Sequence, residues 1–249
     1  MRAAQALRRA VLAGACLAVV ATTAGCESTQ SKSARLESES GKNLATERTG
    51  LKVTKLADGV KVGETAVITD VNGTAVVVTL RNDNKEALAQ VPLALEVVDA
   101  KGKSVYDNSA PGLGTSLISA ALLPAGEDQI WIHDQVVPVG KPDDAKARAG
   151  TGGEEIKGEL PRIDVPDPKL ETDPTSGLAA VGKVVNKSDT EQKDLVVNVV
   201  AREGGKIVAA GRAIVRRLKA NKDATYQAFL IGKAEGAQLE ASAPPTTLK

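Results

Sequence analysis

Ala66-Val67-Ile68-Thr69-Asp70-Val71-Asn72-Gly73-Thr74-Ala75-Val76-Val77-Val78-Thr79-Leu80 decides the fold class. Two β-branched runs flank an Asn-Gly pair. Side chains that stiffen at χ1 favour extended backbone, and Asn-Gly supplies central turn residues that tolerate positive φ, so the stretch predicts a β-hairpin. The same texture continues outward. Leu93–Asp99 meets a Lys101-Gly102 turn, followed by Ser104-Val105-Tyr106, Pro111-Gly112, Thr115–Leu123 and Gln129–Val137. Short apolar runs divided by turns every 8–12 residues predict a β-sandwich, and no long segment has clear helical periodicity.

A second strand-rich block follows. Leu178–Val185 runs into Asn186-Lys187-Ser188-Asp189, Leu195–Arg202 into Glu203-Gly204-Gly205, and then come Ile207–Arg216, Ala224–Ile231 and Gln238-Leu239-Glu240. In Leu195–Arg202 one face is Leu195, Val197, Val199 and Ala201, whereas the other is Val196, Asn198, Val200 and Arg202, so the alternation is partial. Between the blocks, Gly140–Gly158 is rich in Gly, Lys, Asp and Glu. Prolines 161, 166, 168 and 174 then stiffen the chain, with Arg162–Val165 and Lys169–Thr172 as candidate edge strands. Ser242–Lys249, with Pro244-Pro245, reads as a frayed tail.

The blocks read as a divergent internal repeat. Val78-Thr79-Leu80-Arg81-Asn82 parallels Gly182-Lys183-Val184-Val185-Asn186. Gly102-Lys103-Ser104-Val105 parallels Gly205-Lys206-Ile207-Val208. Leu123-Pro124-Ala125-Gly126-Glu127 parallels Leu218-Lys219-Ala220-Asn221-Lys222. This frame resembles the FxLYD family, an immunoglobulin-like module of bacterial exported and membrane-anchored proteins. The resemblance covers residues 60–137 and 162–240. The family's naming motif would fall on Leu95-Glu96-Val97-Val98-Asp99, where only Asp99 is kept, and on Val197-Asn198-Val199-Val200-Ala201, where the Asp is missing. The resemblance implies extracytoplasmic sandwiches and no defined catalytic residue.

The N-terminus adds an address. Arg2, Arg8 and Arg9 precede the uncharged run Ala10–Ala21, and small residues lead to Thr23-Ala24-Gly25-Cys26. A basic region, a short apolar run and a small-residue site form a secretory signal too short to span a bilayer. Ala24-Gly25-Cys26 resembles the bacterial lipobox, with Thr23 in place of the usual Leu. The resemblance implies lipid on Cys26 as the first mature residue. An ordinary cleaved signal is the alternative, and Arg8-Arg9 also resembles a twin-arginine signal. Glu27–Gly50 is too polar to bury a core and reads as a tether with a typical span of roughly 27 Å; a helix over Ser33–Arg48 is the alternative.

The expected organisation is all-β, with two tandem immunoglobulin-like sandwiches after a signal and a disordered tether. The divisions are signal 1–25, tether 26–50, first sandwich 51–138, linker 139–161, FxLYD-like second sandwich 162–241 and tail 242–249. The lipid on Cys26 would hold the protein on the extracytoplasmic face of the cell membrane.

Chemistry is sparse. The chain has 32 Lys and Arg against 31 Asp and Glu; without the three signal arginines, 29 face 31, a net −2. No basic excess points to nucleic acid. The two cysteines are Cys16 in the signal and Cys26, so the mature chain would hold no disulfide. One histidine, one acylated cysteine and the initiator methionine leave no clustered zinc or copper ligands within a mature chain. Asn82-Asp83-Asn84-Lys85-Glu86 lacks calcium-loop spacing, no Walker or dinucleotide fingerprint occurs, and no cofactor is expected. The aromatics, Tyr106, Trp131, Tyr226 and Phe229, are too few for a stacking platform.

Two candidate interaction sites remain. In Gln129-Ile130-Trp131-Ile132-His133-Asp134, Trp131 and His133 share a strand face, which is either an exposed aromatic–imidazole site or a face covered by a loop or the other block. Arg212, Arg216, Arg217 and Lys219 form the densest basic segment, either solvated strand faces or a docking edge for an acidic partner or anionic wall polymer. These features predict a non-catalytic envelope scaffold with a protein partner. An envelope enzyme or accessory subunit using His133 and carboxylates is the alternative, and a small-solute receptor the third.

Overall fold

In the computed structural model, which describes residues 50–173 and 177–248, the deciding hairpin is β1 (Val60–Asp70) and β2 (Gly73–Asn82), paired antiparallel. Its turn differs from the expected Asn-Gly one. Asp70 pairs with Gly73, so Val71 and Asn72 are the central residues, and neither has positive φ. The Asp70 carboxylate shapes the turn instead. It accepts from the Asn72 amide at 2.7 Å, an Asx turn, and from the distant Gly232 amide at 2.9 Å.

β2 and β6 (Asp128–Val136) complete one sheet, β1-β2-β6. Facing it is a sheet built on β3 (Ala87–Val98). Partners along parts of β3 are β4 (Ser104–Asp107), β5 (Ser119–Leu123), β7 (Asp144–Ala149) and β8 (Glu154–Ile156). A single 3-10 turn, Thr115–Leu117, precedes β5. The segment 139–161, expected as a linker, is therefore corrected: Asp144–Ala149 runs in register against Leu93–Val98, and Ala145 and Ala149 join the core. Its polar composition hid a strand because only its small alanines face inward. Val76, Val78, Leu80, Leu93, Leu95, Val97 and Trp131 lead this core.

In the second block, β9 (Ile163–Asp164), β10 (Lys169–Asp173), β11 (Gly177–Asn186) and β14 (Asp223–Phe229) form one sheet. β15 (Ile231–Gly232), β13 (Lys206–Leu218), β12 (Gln192–Glu203) and β16 (Gln238–Ser242) form the other. Leu195, Val197, Val199, Ala201, Tyr226, Ala228 and Leu230 pack between them. Antiparallel sheets thus account for the whole described chain apart from loops, as the strand pattern predicts.

A third apolar layer joins the blocks. Ile68, Ala75, Val77 and Ile132 of the first meet Val200, Ile207, Ala210 and Ile231 of the second. This layer explains two features of the sequence. β2 is buried on both faces, with Val76, Val78 and Leu80 turned to its own core and Ala75 and Val77 to the seam. β12 alternates only partly because Val200 on its second face also lies in the seam. Burying a Val or Ile side chain is worth about 1.5–3 kcal/mol, so the layer binds the blocks strongly. The described residues accordingly belong to one compact unit. Gly232, at φ 107°, is required there: a Cβ would collide with the Val208 carbonyl and lie 2.7 Å from Ile68 Cγ2.

The tail is also corrected. Amides of Thr246 and Thr247 donate to Gln192 Oε1 at 2.9 and 3.0 Å, Gln192 Nε2 donates to the Thr247 carbonyl at 3.0 Å, and Leu248 packs with Ala87, Ala89 and Leu122 of the first block. Fully buried Gln192 anchors a segment whose prolines alone suggest fraying. The signal, Cys26 and the tether lie outside the described residues. Among the described residues, no helix is long and apolar enough to cross a membrane.

Candidate functional site

Trp131 and His133 do share a face of β6, but it is the inner face. They are 5% and 0% exposed, so the exposed aromatic–imidazole site is corrected to a buried cluster. β6 carries them inward because Ile130 and Ile132 occupy the seam on the opposite face. Trp131 Nε1 donates to the carbonyls of Ser116 at 2.9 Å and Ser119 at 3.2 Å. The His133 ring stands edge-on to both Trp131 and Tyr106, with centroids 5.9 and 5.4 Å away.

The Gln135 amide donates to His133 Nδ1 at 3.3 Å, which leaves the ring hydrogen on Nε2, donating to the Tyr106 hydroxyl at 2.8 Å. Burial, then the nearby Arg212 charge, pull the imidazole down to about 4, against the opposing pull of Asp134. Burial likewise pushes Tyr106 up to about 12, helped by Asp107. Both groups are neutral at physiological pH, and the His133 ring is fully buried beneath the half-buried Tyr106. A general base needs a pKa near the working pH and contact with the proton it removes; His133 has neither.

The basic segment on β13 disperses in the same way. Arg212, with its side chain 4% exposed, holds Asp134 Oδ1 through Nη2 at 2.6 Å and Nε at 2.9 Å, and donates to Ser116 Oγ at 3.1 Å. It is a clasp between the blocks, not a docking residue, and that expectation is corrected. A strand face cannot present Arg212 to a partner when the seam lies over it. Arg216 and Arg217 are exposed but paired, with Asp194 and Glu191, each at 2.9 Å. Such surface pairs contribute little. Arg202 spans the seam to Glu64 at 3.0 Å.

The repeat frame is where the structure is most ordered. Asn82 and Asn186, 0% and 1% exposed, do the same work. Each side-chain oxygen accepts from the amide two residues on, Asn84 or Ser188, at 3.0 Å. Each side-chain nitrogen donates four residues on, to Glu86 or Thr190, and across to Leu123 or Leu218. Backbone bonds match as well: Asp83 N to Gly59 O at 2.7 Å, and Lys187 N to Arg162 O at 2.9 Å. Eight residues after each asparagine, Gln90 (φ 52°) and Asp194 (φ 45°) adopt the left-handed region, and Gly126 and Asn221 match in the later turn.

Sequence reasoning missed one feature, a cavity of about 400 Å³ beside the Asn186 loop. Ile156, Leu160, Lys157 and Arg162 line it on one side, Lys187 and Thr190 on another, and Leu248 of the tail closes against it. Thr190 Oγ1 is buried without a hydrogen-bond partner. Only the lone lysine in an otherwise Asx- and Ser-rich turn could have signalled it. Among the described residues there is no group of three or more His, Cys, Asp or Glu that could hold a metal. Compared with family models and with curated proteins, the chain matches none.

Proposed function

We propose that this chain is a non-catalytic interaction or scaffold module of the bacterial envelope, held at the extracytoplasmic face of the cell membrane by lipid on Cys26. The observation that carries the non-catalytic reading is the fate of the one histidine. It is fully buried and engaged by Tyr106 and a backbone amide. The address rests on Arg2, Arg8 and Arg9, the apolar run and Ala24-Gly25-Cys26. The FxLYD-like frame fits the same role, since paired sheets offer surfaces and edges for a protein partner.

Cys26→Ala tests the address. The variant is expected to leave the membrane fraction, while the parent stays and partitions into detergent; retention of the variant would refute lipid anchoring there. Purified protein screened against envelope substrates tests the other half. Turnover that disappears in His133→Ala would overturn the non-catalytic reading.

A further inference from the structure

We propose that Asn72 is a self-modification site: the Gly73 nitrogen attacks its side chain, and the aspartate and isoaspartate that result loosen the Asp70 link between the blocks. Asn72 is the one asparagine of the chain followed by glycine. It is exposed at the tip of the β1–β2 turn. Among the described residues its side chain makes one hydrogen bond, from Nδ2 to Asp70 Oδ2 at 3.3 Å. Gly73 adds no side chain that would shield the attacking nitrogen, and the nearest atom to a Cβ built there would be Ile231 Cδ1 at 3.5 Å. The other asparagines of the described residues lack this combination. Asn82, Asn108, Asn186 and Asn198 are buried, whereas Asn84 and Asn221 are each followed by a lysine.

The chemistry needs only water. The Gly73 nitrogen bonds to the side-chain carbonyl carbon of Asn72. The amide group leaves with the proton of that nitrogen as ammonia, and a succinimide closes. Water then opens the ring. Cleavage of the new carbon–nitrogen bond gives aspartate, and cleavage of the original peptide bond gives isoaspartate, in which the chain runs through the former side chain.

Both products act on Asp70. Its carboxylate accepts from the Asn72 amide at 2.7 Å and the Asn72 side chain, and it holds the Gly232 amide of the second block at 2.9 Å. Either product replaces the Nδ2 donor with an oxygen and sets a second negative charge beside Asp70, which disfavours the ionised pair. Isoaspartate also lengthens the turn by one backbone carbon, which displaces the amide that Asp70 grips. The bond to Gly232 beside Ile231 of the seam is then the one that yields. The site stands independently of the proposed function.

Incubation of the full chain, purified in detergent, at mildly alkaline pH tests this, with peptide mass mapping and isoaspartate-specific methylation as readouts. Conversion at Asn72 is expected at least about tenfold faster than at exposed Asn221, a ratio set by the two ring-closure barriers. Asn72→Gln, whose longer side chain closes its ring poorly, should abolish the signal. Aged parent protein should also unfold at lower denaturant than fresh protein, whereas aged and fresh Asn72→Gln coincide. An Asn72 that converts in the urea-unfolded chain but stays intact in the folded one overturns the site. Conversion that leaves the unfolding midpoint unchanged overturns the loosening of the seam.

Discussion

The two blocks use one backbone frame to different ends. In the first, the buried aromatic of the last sheet strand is Trp131, opposite Val78, and its one donor reaches two carbonyls. In the second, the equivalent ring is Tyr226, opposite Gly182, whose missing Cβ makes room for it: a Cβ would lie 2.8 Å from the hydroxyl. That hydroxyl is buried without a partner. The loops differ as well, with Asp83 doubly paired and Lys187 in no ion pair among the described residues. Both blocks leave buried hydroxyls without a partner, Thr79 Oγ1 in the first and Thr190 Oγ1 and Tyr226 in the second, so the blocks differ in the loop charge and the core ring. A repeat preserves the hydrogen-bond frame that sets its turns and is free to vary the groups that project from it.

Substitutions can break this comparison. Trp131→Ala removes the largest core ring and should cost about 4 kcal/mol in chemical denaturation; a loss below about 1 kcal/mol would mean the first core does not depend on it. Asn82→Ala and Asn186→Ala each strand several buried carbonyls and amides. Each should cost about 3 kcal/mol, and similar losses in both would confirm that the frame is shared. If Asn186→Ala is harmless, the equivalence is only geometric.

His133 adds a pH dependence to the first block alone. Its folded pKa is about 4 against an ordinary 6.5, so the unfolded chain binds the proton more readily between those values. Stability is then complete above pH 6.5, falls as pH drops towards 4 and levels below it, by about 3 kcal/mol. Denaturation curves of the parent and His133→Phe across pH 4–7 check this. The difference between them should carry that slope, and a flat difference would place the imidazole in contact with solvent. The smallest effect is of opposite sign. Tyr226→Phe deletes an unsatisfied hydroxyl and should stabilise by about 1 kcal/mol, whereas a loss would mean that the hydroxyl has a partner in solution.

Much of the fold was legible beforehand. Most strands between Ala66 and Gln238 follow from the apolar runs and the turns that divide them, and Asn82 and Asn186 mark the alignment of the repeat. The misses have a common origin. Asp144–Ala149 hides as a linker because its inward residues are alanines, and the Asp70 turn departs from Asn-Gly chemistry because a distant amide, Gly232, claims the carboxylate. For Trp131 and His133 an exposed and a covered face were both open and the covered one holds, whereas Arg212 was expected at the surface, because polar or amphipathic side chains on a strand do not announce which face is covered.

Local sequence placed most of the strands and the approximate positions of the turns between them. Those choices depend on period-2 alternation and on backbone preferences within a few residues. Only the tertiary structure decided what lies against each face. Val77 and Ile132 carry the same apolar signal as Val76 and Val78, yet they bury against the other block. The hydrophobic effect is non-directional: it requires an apolar face to be covered without specifying by what. Nonlocal packing therefore turned a suspected contact site into a core, a docking arginine into a clasp, and an unremarkable lysine in a turn into the wall of a cavity.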